Sequence, residues 1–175
     1  DVLPSAGDTQ IVYPKNTIST AVATAALAEI ASSPAFQTAF SSEAGAAATA
    51  AQNGWDFLIT ALDNDIVDNI ITLTEKANAY QKSAYYGTAF THDDELAWAA
   101  AAMFVMTDNP IYEARLIEFM PNPNAVLLNG WRRLHEGWGA AMRTYALGIK
   151  DGRITSYNPT YLAQVEAELN LAGDD

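Results

Sequence analysis

Asp93-Asp94-Glu95-Leu96-Ala97-Trp98-Ala99-Ala100-Ala101-Ala102-Met103-Phe104-Val105-Met106-Thr107 is the stretch that decides the fold. Alanine has the best helix propensity. Thr91-His92 directly before the stretch reads as the start of a capping box. Three carboxylates then fall in the first turn, where the helix dipole favours them. The spacing predicts a helix over 93–107. Asn109-Pro110 restarts a helix over about 110–119, with Pro at the first helical position.

Working outward, the same signals recur. Asn16 or Thr17 can cap a helix over 17–32, with Ile18, Val22, Ala26, Leu27 and Ile30 on its apolar side and Ser33-Pro34 as its stop. Ser42 can cap another over about 43–62, where Trp55, Leu58, Ile59 and Leu62 follow i, i+3, i+4, i+7. Residues 64–90 are ambiguous: 65–76 have weak helical periodicity and 80–90 read as an aromatic-rich loop or extended segment. Met120 to Asn124 is a turn. A long helical stretch over about 125–149 closes at Asp151-Gly152, with Gly137 and Gly139 serving close packing or a bend. Asn158-Pro159 opens a last helix over 159–172, with Gly173 as its C′ residue. Only Thr9 to Tyr13 has the look of a short strand. The expectation is an all-α chain of six or seven helices joined by short turns. The helices around Trp55 and Trp98 are both rich in small residues with one central Trp, a pattern that builds antiparallel hairpins.

Composition agrees. The chain has 175 residues, of which 33 are alanine, and half are hydrophobic, so wholesale disorder is excluded. Nine Lys+Arg against 21 Asp+Glu give a net charge of −12, which argues against nucleic acid and against an anionic membrane surface. No run of about 18 apolar residues predicts a membrane span. Zero cysteines exclude a disulfide scaffold and thiol catalysis. The first residue is Asp1 and no signal pattern follows, so a processed product or a piece of something longer is expected.

Several polar constellations could carry chemistry. In Thr91-His92-Asp93-Asp94-Glu95, Asp94 and Glu95 are candidate catalytic carboxylates and His92 a candidate sugar contact; capping and dipole charges are the structural alternative. Trp131, Leu134 and Trp138 share a helical face, either to stack on sugar rings or to form a core stripe. Tyr80, Tyr85, Tyr86 and Phe90 could line a carbohydrate cleft or simply cover helices. Ser5-Ala6-Gly7-Asp8 is a turn with one carboxylate, Asp8. Arg115, Arg132, Arg133, Arg143, Lys150 and Arg153 hold most of the basic charge and read as solvated helix faces. No metal-hydrolase, phosphate-loop, nucleophile-elbow or dinucleotide motif is present, so neither metal nor cofactor is expected.

The run from Asp93 to Ala100, followed by Thr107-Asp108-Asn109-Pro110-Ile111-Tyr112, resembles glycoside hydrolase family 9, which holds cellulases and related β-glucan hydrolases. Tyr13-Pro14-Lys15-Asn16-Thr17 before an Ala-rich helix is similar to that family's start of a mid-barrel helix. Ala50 to Phe57 is similar to the Trp-bearing helix that follows. Gly130 to Gly139, and on to Asp175, looks like a less typical branch. The resemblance covers most of the chain and implies a toroid of six helical hairpins. It also implies secretion, inverting hydrolysis of β-1,4-glucan, and sugar contacts at His92, Tyr86, Trp98, Trp131 and Trp138. In that chemistry two carboxylates about 6.5–9.5 Å apart activate water and protonate the leaving oxygen. The family's base motif is matched only loosely at Ser5 to Asp8, and its general-acid and sugar-contacting motifs are absent. The chain is therefore expected to be about half of an (α/α) six-hairpin toroid, catalytically incomplete alone. Its expected partners are the rest of the catalytic domain, through it a β-glucan, or further copies of itself through exposed apolar helix faces.

Overall fold

The computed structural model describes residues 17–63, 67–68, 80–81, 83–85, 88–90, 93–124 and 136–174. Among these, the architecture is helical. The helices are α1 (Thr17–Ser32), α2 (Pro34–Ala39), α3 (Ser41–Asp63), α4 (Asp93–Thr107), α5 (Pro110–Phe119), α6 (Glu136–Lys150) and α7 (Pro159–Asp174). Between α3 and α4 lie four strand segments of two or three residues: β1 (Val67–Asp68), β2 (Tyr80–Gln81), β3 (Ser83–Tyr85) and β4 (Thr88–Phe90). β1 pairs with β2 in parallel; β3 and β4 pair antiparallel, with Tyr85 opposite Thr88. The strand expected at Thr9 to Tyr13 lies outside the described residues.

α4 is the centre of the molecule. It packs against α1, α5 and α6. Its sequence is apolar all the way round after the first turn, and a helix of that kind has to be covered on every side. Leu96, Ala97 and every residue from Ala99 to Val105 are buried. The alanines present almost no side chain, so the neighbouring helices approach closely, while Leu96, Met103 and Phe104 fill the space between. Burying each of those three large side chains stabilises the fold by about 1.5–3 kcal/mol.

The other helices arrange themselves around this one. α1 packs on both α3 and α4, and α6 packs on α4 and α7. Ala21, Ala25 and Ala28 of α1 are fully buried. Trp55 of α3 meets Tyr112 of α5 edge to face, with ring centroids 5.1 Å apart. Phe104 of α4, Tyr145 of α6 and Tyr161 of α7 form a run of ring contacts at 6.2 and 5.6 Å.

Three expected boundaries change. Ser33-Pro34 ends α1, but the same two residues also start α2, because the Ser33 hydroxyl caps the Phe36 N–H and Pro34 takes the first helical position. The second long helix begins at Ser41, so Ser42 lies inside it and not at its cap. Gly173 is helical, inside α7, and does not serve as C′. Of the long stretch expected over 125–149, residues 125–135 lie outside the described residues and the remainder is α6. The stop at Asp151-Gly152 stands, with Gly152 in the left-handed region at φ +71°. At the other turn, Asn109 caps α5 through the Ile111 N–H and Asp108 takes φ +52°. Asp108 is held there by Thr155, whose N–H and hydroxyl donate to its two carboxylate oxygens at 2.9 and 2.5 Å. These bonds keep the Asp108 carboxyl below its ordinary pKa.

Candidate functional site

Three carboxylates tie the helices together. The first is Asp94, in the first turn of α4 and buried. Its Oδ2 accepts from the backbone N–H of Gly137 at 3.0 Å. Gly137 is the second residue of α6, so Asp94 satisfies one of that helix's four orphan N–H groups. The approach is close enough that a Cβ on Gly137 would sit 2.6 Å from the Asp94 carbonyl carbon and oxygen. Only glycine fits there.

The second is Glu29 of α1. Its Oε1 accepts from the Trp98 indole N–H of α4 at 2.8 Å and from the Thr144 hydroxyl of α6 at 2.5 Å. One oxygen therefore joins three helices. The third is Glu113 of α5, also buried. Its Oε1 accepts from the Tyr145 hydroxyl at 2.5 Å and the Asn158 N–H at 2.7 Å. Burial, then the hydrogen bond and charge of Glu113, hold the Tyr145 hydroxyl above its ordinary pKa. Burial and the same carboxylate raise Tyr161, whose hydroxyl donates to the Met120 carbonyl at 2.7 Å.

Glu29 differs from the other two in facing a groove. A half-open cavity of about 390 Å³ lies between the end of α1, the Ser33-Pro34 turn and α6. Arg143, Thr144 and Leu147 of α6 line one side, and Asp151 and Arg153 the turn after it. Arg153 is largely committed: it donates to Asp151 at 3.2 Å and to the Ser32 hydroxyl at 3.4 Å. Its buried Nε has no hydrogen-bond partner. Arg143 is exposed and makes no ion pair with a described residue. The groove offers a free guanidinium, hydroxyls and two apolar walls, which is equipment for binding.

The sequence-predicted residues are distributed as follows. Asp94 and Trp98 enter the helix-joining network just described. Glu95 follows Asp94 in α4 and is partly buried. Trp138 packs, half-buried, against the core. Asp8, Tyr86, His92 and Trp131 lie outside the described residues. Sequence reasoning missed Glu29, Glu113, Thr144 and Tyr145, and read Arg143 and Arg153 as surface charge. A signal existed for Glu29: it is the one charged residue of the 16-residue helix α1. Among the described residues there is no cluster of metal-ligating side chains, and no helix is long and apolar enough to cross a membrane.

No family model, curated protein or solved structure matches the chain.

Proposed function

We propose that this chain is a portion of a secreted helical glycosidase acting on β-1,4-linked glucan, about half of an (α/α) six-hairpin toroid, and that it supplies scaffold and not the catalytic pair. One observation carries the reading: the order in which the helices pack. α4 packs on α1 and on α6, and each of the three packs with a helix that follows it, α3 on α1, α5 on α4 and α7 on α6. Three successive hairpins with their first members side by side are what half of such a toroid requires. The motif that resembles the family supports the same role. Asp94 and Trp98 are spent on holding α4 to α6 and α1, and Asp108 and Asn109 on the turn into α5.

A row of three hairpins has two open ends, which the remaining hairpins of a toroid would cover. Val22 and Ile30 on α1 and Leu147 on α6, the two outer members of the row, are exposed large apolar residues. These exposed residues also favour a second reading, in which copies of the chain associate without enzymatic activity. The test combines activity and mass. The isolated chain should release no reducing ends from soluble β-1,4-glucan, and turnover would overturn the scaffold role. Light scattering separates the two readings, since a mass that rises with concentration favours self-association. A solution structure in which α1, α4 and α6 are not adjacent would remove the toroid reading.

A further inference from the structure

We propose that the groove between the end of α1, the Ser33-Pro34 turn and α6 binds a small hydroxylated carboxylate of the hexuronate class, with Arg143 holding the carboxylate. The proposal stands on the groove's own residues and holds whether or not the chain belongs to a glycosidase. The cavity, about 390 Å³, falls in the range of about 300–1,000 Å³ typical of small-molecule sites. Two of the chain's nine basic residues line it, in a protein of net charge −12.

The lining charges decide the class of ligand. Arg153 is neutralised by Asp151. Glu29 stays as an acceptor on the wall, already holding Trp98 and Thr144. Arg143 is left to meet a ligand, and a planar guanidinium matches a carboxylate through two parallel hydrogen bonds. A phosphate dianion would bring a second negative charge beside Glu29 and Asp151 without a second free cation. A neutral sugar would gain no charge-assisted bond from Arg143. Glu29 and Asp151 against Arg143 and Arg153 already sum to zero, so the groove takes a ligand of one charge, held directly by Arg143, more readily than a dianion.

The hydroxyls decide the rest. Thr144 gives its proton to Glu29, so its oxygen is an acceptor for a ligand hydroxyl. The Ser33 hydroxyl accepts from the Phe36 N–H at 3.4 Å, which leaves its own proton to donate. Pro34 and Leu147 supply apolar surface for the C–H face of a ring. A plain carboxylate such as acetate would use only Arg143.

Calorimetric titration of the intact chain at fixed ionic strength tests this with four probes: sodium glucuronate, glucose, sodium acetate and inorganic phosphate. Glucuronate should bind saturably at one site, at least tenfold tighter than each of the others. Arg143→Gln should weaken glucuronate at least tenfold with an unchanged thermal midpoint, because Arg143 is exposed and supports no helix contact. Absence of saturable glucuronate binding overturns the proposal. So does equal affinity for acetate, which would mean simple ion pairing, or tighter binding of phosphate. An Arg143→Gln chain that binds glucuronate as the parent does overturns it as well, and a glucuronate-induced amide shift at Thr144 and Leu147 locates the site independently of that variant.

Discussion

Glu29 and Glu113 do the same thing in two different places. Each presents one carboxylate oxygen to two donors from other segments of the chain. Glu113 does so in the interior: it is 8% exposed and Tyr145 is fully buried. Glu29 does so on the wall of a groove that water can enter. A carboxylate in the interior has no substitute for its partners, whereas one beside water has. The difference teaches that an identical pattern of bonds can be a structural necessity at one site and a modest contribution at another. The surroundings decide, because an unmade hydrogen bond is costly only where water cannot replace it.

The largest effect that would break or sharpen this contrast is expected from Glu113→Ala. It strands the fully buried Tyr145 hydroxyl, at about 1–3 kcal/mol for an unsatisfied group, and removes the bond to the Asn158 N–H, worth about 1 kcal/mol, so a loss of about 3 kcal/mol is expected. Urea denaturation measures it, and a loss under about 1 kcal/mol would erase the distinction between the two sites. Next comes alkaline pH. Tyr145 has a raised pKa in the folded chain, so folding favours its protonated form. The stability it contributes is complete below the unfolded value of about 10 and is lost as pH rises above it. Tyr145→Phe should therefore flatten the fall in stability between about pH 10 and 11.5 relative to the parent chain. Equal slopes would show that this hydroxyl is not held protonated. The smallest effect is expected from Glu29→Ala, about 1 kcal/mol, because water in the groove can serve the Thr144 hydroxyl it abandons. A loss as large as that of Glu113→Ala would show that the groove is dry.

The parts of the fold that could be read from sequence are those whose signals are local. The helices over 17–32, 93–107 and 110–119 appear with the expected bounds, since alanine content, an acidic first turn and Asn109-Pro110 each act within a few residues. The short helix α2 was not legible because Ser33-Pro34 is at once a stop for one helix and a start for the next. The helix-joining carboxylates were not legible for a different reason. Glu29 meets partners 69 and 115 residues away in the chain, and no spacing rule reaches that far. Asp94 falls between these cases. Its first-turn position identifies a group suited to a helix N-terminus, but the N–H it binds belongs to α6 and not to its own helix. Chemistry was readable there; the address was not.

The buried state of α4 also has a consequence in time. Synthesis delivers α1 and α3 before α4, so one flank of the new helix finds its partner at once. The opposite flank needs α6, which ends 43 residues after Thr107. At about 5–20 residues per second, the most deeply buried of the described helices waits roughly 2–9 seconds half-clothed on the ribosome.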